Sequence, residues 1–448
     1  MPHNKRTGIF LMAMLLSGVL SGCFFKSVDE LYALPKQSEE YYQLQAEIDR
    51  IMVEGAAYAA PTSGSNQQSV QLADLDGDSE EEAIVFVKTN GEKPLKGYIF
   101  DRVDDTFTNV AVIEGDGGNF ASVEYVQIDG EPGLEIVIGR QVSDQVLQSL
   151  SVYALRDNRV VELMSANYTE YTTVDLDSDG NTDIFVIRFD SDERTGVAEY
   201  YRSVGGQIER EPEALMSSGV EVIKRIISGN VDDGVPAVFV ASMYEENNII
   251  TDIFALRDGT FMNITTEGVS GTSAQTIRNY YVYATDIDSD GVIELPQPQP
   301  LPAYGETPAD DVYWIINWYR VSADDGKRTI TLTTYHNYSG GWFVILPEEW
   351  SGELTITRSS EVSGVRGYVF SKWEGNQAPP EPIFTIYAFS GDDRNTVAAE
   401  NGRFVLGEKG DVTYAAELGT CQWARELSEE DLIQMFRFIH IAWNSGEK

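Results

Sequence analysis

The sequence predicts a mainly β protein: a β-propeller of about five blades, preceded by a short helix and followed by a small α+β domain. A nine-residue acidic phrase recurs between apolar, strand-like runs, and its copies begin at residues 74, 127, 175, about 230 and 286. The steps are therefore 53, 48, about 55 and about 56 residues. Repeats of this length with four strand-like segments in each are typical of propeller blades, which bury their faces against neighbouring blades.

The first 22 residues have the features of a targeting segment. Lys5 and Arg6 precede an apolar run, which leads into Leu20-Ser21-Gly22-Cys23. This order resembles a bacterial lipobox, and the resemblance implies lipidation of Cys23 and anchoring to the membrane. A plain secretory signal and a membrane helix are the alternatives, but the run is short for a membrane span. We expect an extracytoplasmic protein that is lipid-anchored to the bacterial cell membrane.

Composition limits the range of partners. The chain has 448 residues with 42% hydrophobic and 23% charged residues, which are values of a globular protein with two or three domains. It carries 72 acidic against 32 basic residues, a net charge of −40. A surface this acidic argues against nucleic acid as a ligand. The cysteines are Cys23 and Cys421, so acylation of Cys23 leaves no disulfide within the chain.

The chain is expected to divide into four segments. Residues 1–22 are the signal peptide, 23–68 a lipidated tether with a helix and a linker, 69–337 the propeller, and 338–448 the α+β domain. The helix in the tether is predicted to begin at Ser38, because four apolar residues then follow at helical spacing. They are Tyr41, Leu44, Ile48 and Ile51.

A second helix is predicted near the end of the chain. Ser428 and Asp431 stand at capping positions before an apolar stripe at spacings of four, three and four. The stripe consists of Leu432, Phe436, Ile439 and Trp443.

Three of the acidic phrases place carboxylates at positions 1, 3, 5 and 9 of a tight loop, a spacing suited to a hard cation such as Ca²⁺. Magnesium requires a stricter octahedron, so calcium is the expected cofactor. Polar turns without a metal are the alternative, since Asp and Gly favour turns in any case. That alternative is preferred at residues 127–135, where only Asp129, Glu131 and Glu135 remain. The candidate ligands are Asp74, Asp76, Asp78, Glu82, Asp175, Asp177, Asp179, Asp183, Asp286, Asp288, Asp290 and Glu294.

The phrases that begin at Ala73, Val174 and Thr285, each with the pattern Asp-x-Asp-x-Asp before an apolar strand, resemble the FG-GAP or VCBS-type repeat of integrin-alpha-like propellers. That resemblance implies a calcium-stiffened propeller used mainly for surface recognition. An EF-hand shares the early part of the pattern but needs a bidentate carboxylate at position 12. This sequence has Val85, Val186 and Gln297 there.

Catalytic groupings are sparse. Beyond the targeting segment the only histidines are His336 and His440, and no third group at a fixed spacing completes a triad with either. We therefore expect a non-catalytic recognition module for an extracellular protein or glycan, held at the membrane through Cys23. An extracytoplasmic polysaccharide-active enzyme and an envelope assembly or structural factor are the alternatives.

Overall fold

The structure is a computed structural model that describes residues 39–103, 106–142, 148–232, 234–268, 270–279, 282–304, 312–359, 365–373, 375 and 378–439. Cys23, His440 and Trp443 lie outside these residues. The described chain forms two compact units. The first comprises residues 39–60, Gln68–Ala73 and Glu81–Gly115, and the second comprises Pro61–Gln67, Asp74–Glu80 and the described residues from Asp116 onward.

The first unit packs one helix on one sheet. Helix α1 runs over Glu39–Val53, where the sequence places a helix, and its Leu44 and Ile48 are buried against Val85 and Phe100. This is the expected result for an apolar stripe on an otherwise polar helix. Strands β1 and β2 both pair with β3, which continues to β4 and β5. The strands are β1 Ala57–Tyr58, β2 Val70–Ala73, β3 Glu82–Lys88, β4 Leu95–Val103 and β5 Thr106–Gly115.

Sheets two to four, in the second unit, follow one another along the chain. In each, consecutive strands are antiparallel neighbours, and the short β14 adds to the edge of the third sheet by pairing with β12. The second sheet contains β6 Asn119–Val126, β7 Glu135–Gln141, β8 Gln148–Arg156 and β9 Arg159–Tyr168. The third contains β10 Glu170–Val174, β11 Asp183–Asp190, β12 Thr195–Val204, β13 Gln207–Arg210 and β14 Ala214–Leu215. The fourth contains β15 Val220–Asn230, β16 Pro236–Tyr244, β17 Asn248–Arg257 and β18 Thr260–Asn263.

The fifth and sixth sheets complete the second unit. Their strand orders are β19-β20-β21-β22-β28 and β23-β24-β25-β27-β26. The fifth consists of β19 Leu295–Pro300, β20 Trp314–Val321, β21 Arg328–Asn337, β22 Trp342–Leu346 and β28 Phe436–Phe438. The sixth consists of β23 Leu354–Arg358, β24 Val365–Lys372, β25 Glu381–Ser390, β26 Phe404–Lys409 and β27 Val412–Leu418. The helices of this region are α2 Arg394–Ala398, α3 Gln422–Arg425 and α4 Glu429–Met435.

In each of the first four repeats, the strand that follows the acidic segment is buried along most of its length. Strands β3, β7, β11 and β16 each have at least five consecutive buried residues. Each lies between two neighbouring strands and is covered on both faces, so after its first residue it is largely apolar rather than alternating. This explains why the sequence shows a continuous apolar run after each acidic loop.

Two features of the C-terminal region differ from the sequence-based expectation. Strand β22, which the sequence assigns to a separate domain from residue 338, pairs with β21 from Thr333↔Leu346 to Asn337↔Trp342 and so extends the fifth sheet. The terminal helix has the expected Ser428–Asp431 capping box but ends at Met435, so the prediction of a longer helix is wrong at Phe436–Phe438. Those residues pair with β22, and the sheet hydrogen bonds replace the helical ones.

The prediction of a mainly β protein is confirmed. Six antiparallel sheets of four or five strands are consistent with a propeller-like fold. The sequence contains five repeats, whereas the structure has six sheets. The sixth sheet is formed by the region that was expected to be a separate α+β domain. Among the described residues, none of the helices has both the length and the apolar character that crossing a membrane requires.

Candidate metal sites at the acidic loops

Each acidic loop leads directly into a strand, which is β3, β7, β11 or β19. We name the loops by their first residue and number their positions 1 to 9: the Asp74 loop (74–82), the Gln127 loop (127–135), the Asp175 loop (175–183) and the Asp286 loop (286–294). The first three leave a strand at position 1 and enter the next strand at position 9. The Asp286 loop is closed instead by a bridge between Thr285 and Glu294, just before β19.

The backbone of the three complete loops has positive φ at positions 4 and 6. In the Asp175 loop these are Ser178 at +59° and Gly180 at +91°, and the Asp286 loop has nearly the same values. The Asp74 loop has Gly77 at +82° and, where a glycine is expected, Ser79 at +74°. The serine therefore adopts the left-handed conformation that the loop requires, although a side chain is strained there.

The position 1 aspartate stabilises this turn from within. Oδ1 of Asp175 accepts a hydrogen bond from the backbone N–H of Asp179 at 3.2 Å, and Oδ2 accepts from that of Gly180 at 3.1 Å. Asp286 accepts from the corresponding two N–H groups at 3.1 and 2.9 Å. These bonds link residues four or five apart, so the local sequence is sufficient to form the turn.

In three loops, carboxylate oxygens converge closely enough to hold a metal ion. One oxygen from each of three residues lies within 4.8 Å of the other two. The sets are Asp74, Asp76 and Asp78; Asp175, Asp177 and Asp183; and Asp286, Asp288 and Asp290. The sequence proposes four ligands per loop, and each set brings together three of them. Asp179, Glu82 and Glu294 are outside the sets.

The position 9 carboxylates are buried beneath their loops. Oδ2 of Asp183 accepts from the N–H of Leu176 at 2.9 Å and from the hydroxyl of Tyr200 at 2.8 Å. Burial nevertheless raises the pKa of Asp183 to about 7, because the charged form loses its hydration. Oε2 of Glu294 accepts from the N–H of Ile287 at 3.1 Å, and burial raises its pKa to about 7. In the first unit, Glu82 is fully buried at the start of β3.

In three repeats an arginine contacts the loop. It lies in the strand after the one that the loop leads into, which is β8, β12 or β20. Arg320 donates to Glu294 Oε1 at 2.6 Å, to Asp290 Oδ2 at 2.6 Å and to Asp288 Oδ2 at 3.2 Å. Its guanidinium therefore already neutralises carboxylates of the Asp286 loop. In the Asp175 loop, Arg202 lies 3.4 Å from Asp177 Oδ2 and forms its shorter bond, at 2.7 Å, with Glu211.

In the Gln127 loop the arginine is bonded to two of the three carboxylates that remain in the loop. Arg156 donates to Asp129 Oδ2 at 2.6 Å and to Glu135 Oε1 at 3.0 Å. Glu135 is fully buried, and its pKa is raised by that burial. No set of three carboxylates converges in this loop among the described residues. The arginine provides positive charge where a bound cation would provide it in the metal-competent loops.

These arginines were not predicted from the sequence, although the sequence contains a signal for them. Strands β8, β12 and β20 contain the related tripeptides Ala154-Leu-Arg156, Tyr200-Tyr-Arg202 and Trp318-Tyr-Arg320. A basic residue at a constant place in an acidic repeat indicates an internal partner for the repeat's carboxylates. Because Arg202 lies farther from its loop carboxylate than Arg320 does, the fit to a metal ion is better at the Asp175 loop than at the Asp286 loop. None of the ion pairs within the described residues involves Asp74 or Asp78.

Consecutive loops are also joined to one another. The carbonyl oxygen at position 1 accepts a hydrogen bond from the N–H at position 8 of the next loop. The bonds run from Leu134 to Asp74 at 3.0 Å, from Thr182 to Gln127 at 2.7 Å, and from Ile293 to Asn230 at 2.8 Å. These atoms all belong to the second unit. A cation that stiffens one loop would thus also stiffen its neighbour.

His336, one of the two histidines beyond the targeting segment, lies among buried aromatic side chains. His336 is buried, its ring is stacked on Phe343 at 5.0 Å, and Trp318 lies at 5.9 Å. Burial lowers its pKa to about 3, because the protonated ring would lose its hydration. A histidine that stays neutral throughout the physiological range is poorly suited to proton transfer.

The fold and the loops together define a mainly β protein with repeated acidic loops, three of which can hold a metal ion. No family model and no curated protein matches the chain. Among solved structures it is similar to an exotype rhamnogalacturonan lyase, YesX, at 12% identity and a TM-score of 0.27, over 71% of this chain and 62% of that one. It is also similar to a protein from Lactobacillus plantarum at 8% identity and a TM-score of 0.25, over 72% and 78% of the two chains.

The chain thus spans less than two thirds of the lyase's length. Likenesses of this degree carry no argument about activity. The function has to be argued from the residues of this chain.

Proposed function

We propose that this chain is a lipid-anchored, extracytoplasmic bacterial protein whose calcium-stabilised propeller is a non-catalytic module that recognises a protein or a glycan. The observation that carries the proposal is the recurrence of one metal-competent loop at the same point of three repeats. Repetition at a structural position is typical of a stabilising element, whereas a catalytic site is usually built once from unlike residues.

Calcium is the cation that these ligands suit best. All the converging atoms are carboxylate oxygens, and irregular loops with backbone and carboxylate oxygens accommodate its flexible coordination. In the Asp175 loop, Asp175, Asp177 and Asp183 would hold the ion. The ion would neutralise the mutual repulsion of these carboxylates and fix the start of the following strand.

The recognition role is supported by the scaffold. Loops held by internal ion pairs and by loop-to-loop hydrogen bonds form a rigid platform, on which a binding surface needs little ordering when a partner arrives. The buried, neutral His336 is poorly suited to the proton transfer that the alternative enzyme function would need. The membrane anchor rests on Cys23, as the sequence suggests.

Two measurements on the full mature chain in detergent test this proposal. The thermal unfolding midpoint, measured in excess calcium and in excess chelator, should be clearly lower in chelator. A pull-down from envelope extract, repeated under both conditions, should capture a defined partner more strongly with calcium. Identical melting curves would refute the calcium assignment, and turnover of a captured glycan would refute the non-catalytic role.

A further inference from the structure

Arg278, in the second unit, is a buried arginine whose charge no carboxylate balances in the described part of the chain. The residue is 5% exposed, and none of the ion pairs between described residues includes it. Burial lowers the pKa of Arg278 to about 10, because the charged form loses its hydration, so the guanidinium is still protonated at neutral pH. A buried charge without a counter-charge destabilises the folded protein. At the acidic loops, by contrast, Arg156 and Arg320 are each paired with a buried carboxylate.

Hydrogen bonds to the main chain fix the position of Arg278. Its backbone exchanges two bonds with Ile249 of β17, at 2.8 and 2.9 Å. Nε donates to the carbonyl oxygen of Val282 at 2.5 Å. Nη1 donates to the carbonyl oxygen of Thr276 and to the hydroxyl of Thr251, both at 3.0 Å. These bonds use the Nε–H and the two Nη1–H groups, so the orientation of the guanidinium is set.

The remaining nitrogen, Nη2, has two N–H groups and no acceptor. It is buried, and among the described residues it has no hydrogen-bond partner. Tyr280 and Tyr281, between Arg278 and Val282 in the sequence, lie outside the described residues, but tyrosine provides no carboxylate. Buried N–H groups in native proteins are nearly always bonded, so an exception indicates the place of a bound water or ion.

Thr251 provides a second donor beside the guanidinium. Its hydroxyl accepts a hydrogen bond from Nη1 of Arg278, so the hydroxyl hydrogen is available to another acceptor. Thr251 is fully buried in β17. Two N–H groups and one O–H group are therefore available at this point, and a set of donors next to a positive charge suits an anion.

The acid that follows Thr251 in the sequence points away from Arg278. Asp252 is the next residue of β17, and successive side chains of a strand point to opposite faces. Its carboxylate accepts hydrogen bonds from the hydroxyls of Ser217 and Ser273, each at 2.6 Å. Asp252 is thus bonded on the other face of β17 and does not balance the charge of Arg278.

Two more guanidinium groups lie near the tyrosines that adjoin Arg278. Tyr283 and Tyr319, both buried, interact electrostatically with Arg278. The guanidinium carbon of Arg225 lies 5.9 Å from the centre of the Tyr283 ring, and that of Arg328 lies 5.0 Å from the centre of the Tyr319 ring. In a chain with a net charge of −40, this local concentration of positive charge attracts an anion.

We propose that Nη2 of Arg278 and the hydroxyl of Thr251 bind a small monovalent inorganic anion such as chloride. Burial favours a small anion, and one negative charge matches the one charge of the guanidinium. The bound anion stabilises the contact between β17 and the segment before the Asp286 loop, because Arg278 also bonds to Val282. This site goes beyond the recognition role proposed above and does not depend on the calcium loops.

Thermal unfolding of the full mature chain in detergent tests the inference. Sodium chloride is compared with sodium methanesulfonate, a larger monovalent anion, at equal ionic strength and with a calcium chelator in both. Chloride should raise the melting midpoint saturably by about 2 °C or more, and methanesulfonate should not. Arg278→Met removes the charge and should abolish the rise. Arg159→Gln, at an exposed strand end, is the control and should keep it.

Two further measurements do not depend on the stability of Arg278→Met. Thr251→Val removes one donor and keeps the guanidinium, so it should raise the half-saturating chloride concentration about fivefold. In crystals of the same protein grown in bromide, an anomalous peak should lie in contact with Nη2 of Arg278.

Equal midpoints in the two salts, or no bromide peak at Nη2, would overturn the inference and assign the position to water. A chloride-dependent rise that persists in Arg278→Met would overturn it as well, because the anion would then bind elsewhere. If Arg278→Met does not fold, a half-saturating concentration unchanged by Thr251→Val leads to the same conclusion.

Discussion

Nε of Arg320, in β20 of the fifth sheet, donates at 2.6 Å to Oε1 of Glu294, the residue directly before β19. Glu294 is fully buried, and the same guanidinium contacts Asp290 at 2.6 Å. One side chain thus joins the carboxylate beneath the loop to a carboxylate of the candidate metal site. The arginine and a metal ion therefore compete for the same negative charge in this loop.

Replacing Arg320 should reveal that competition. In calcium-free buffer, Arg320→Met should lower the free energy of unfolding by about 3 kcal/mol, because a buried carboxylate loses its charged partner. Calcium should then raise the melting midpoint by more in the variant than in the wild type. Differential scanning calorimetry with and without calcium measures both effects.

The matched control is Arg50→Met, which removes an exposed ion pair with Glu47 on α1. It should change stability by less than about 0.5 kcal/mol and leave the calcium response as it was. If Arg320→Met behaved in the same way, the internal-cation interpretation would be wrong.

The Asp175 loop allows the calcium contribution to be tested directly. Asp175→Asn keeps one of the two oxygens that accept the loop hydrogen bonds and removes the charge, so it should reduce the calcium-dependent rise in the melting midpoint. A site saturated a hundredfold over its Kd contributes about 2.7 kcal/mol. Asp157→Asn, at a turn with a φ of +49° that Asn also tolerates, is the control and should keep the full rise. Equal responses in the two variants would exclude the Asp175 loop as a calcium site.

The contact between the first two loops can be tested at a glycine. Gly133 has a φ of +98°, and a Cβ there would lie 2.3 Å from the carbonyl oxygen of Leu75. Gly205 also has a positive φ, +62°, but a Cβ there would meet nothing within 4 Å. Both alanine variants incur backbone strain of about 1–2 kcal/mol, and Gly133→Ala should lose about 1–3 kcal/mol more because the loops must separate.

Urea unfolding of both variants measures this difference. In Gly133→Ala, hydrogen exchange should also be faster at the Leu134 amide, which donates to the carbonyl oxygen of Asp74. If the two variants lost the same free energy, the loop-to-loop contact would contribute nothing measurable to stability.

Burial of His336 predicts a pH dependence of stability. The folded pKa is about 3 and the reference value is 6.5, so above pH 6.5 the ring is neutral in both states. As the pH falls below 6.5, the unfolded chain binds a proton that the folded chain excludes. Stability is therefore lost by up to about 1.4 kcal/mol per pH unit, until the pH approaches 3.

His336→Asn removes this titration and should reduce the slope of stability against pH between about 6 and 4. The carboxylates titrate in both proteins and cancel in the difference between the two curves. Urea midpoints at a series of pH values provide the measurement. Parallel curves would mean that the ring is protonated in the folded state, and hence that it is more accessible to water than the structure indicates.

The sequence by itself determined the features that depend on neighbouring residues. The spacing of Asp175, Asp179 and Gly180 is sufficient to form the loop, because the hydrogen bonds that close it span five residues or fewer. The capping box at Ser428 and Asp431 spans three residues and was predicted correctly. The buried strands β3, β7, β11 and β16 could likewise be predicted from the sequence, since burial on both faces requires a continuous apolar run.

Tertiary structure alone decided what lies across strands and between sheets. Arg320 reaches Glu294 because the register pairs β20 with β19, and residues 26 apart in sequence are then adjacent. Helix α4 ends at Met435 because Phe436–Phe438 can pair with β22, a choice that the helical spacing of its apolar residues does not reveal. Local hydrogen bonds are specified by spacing, whereas register and packing depend on partners that are distant in the chain.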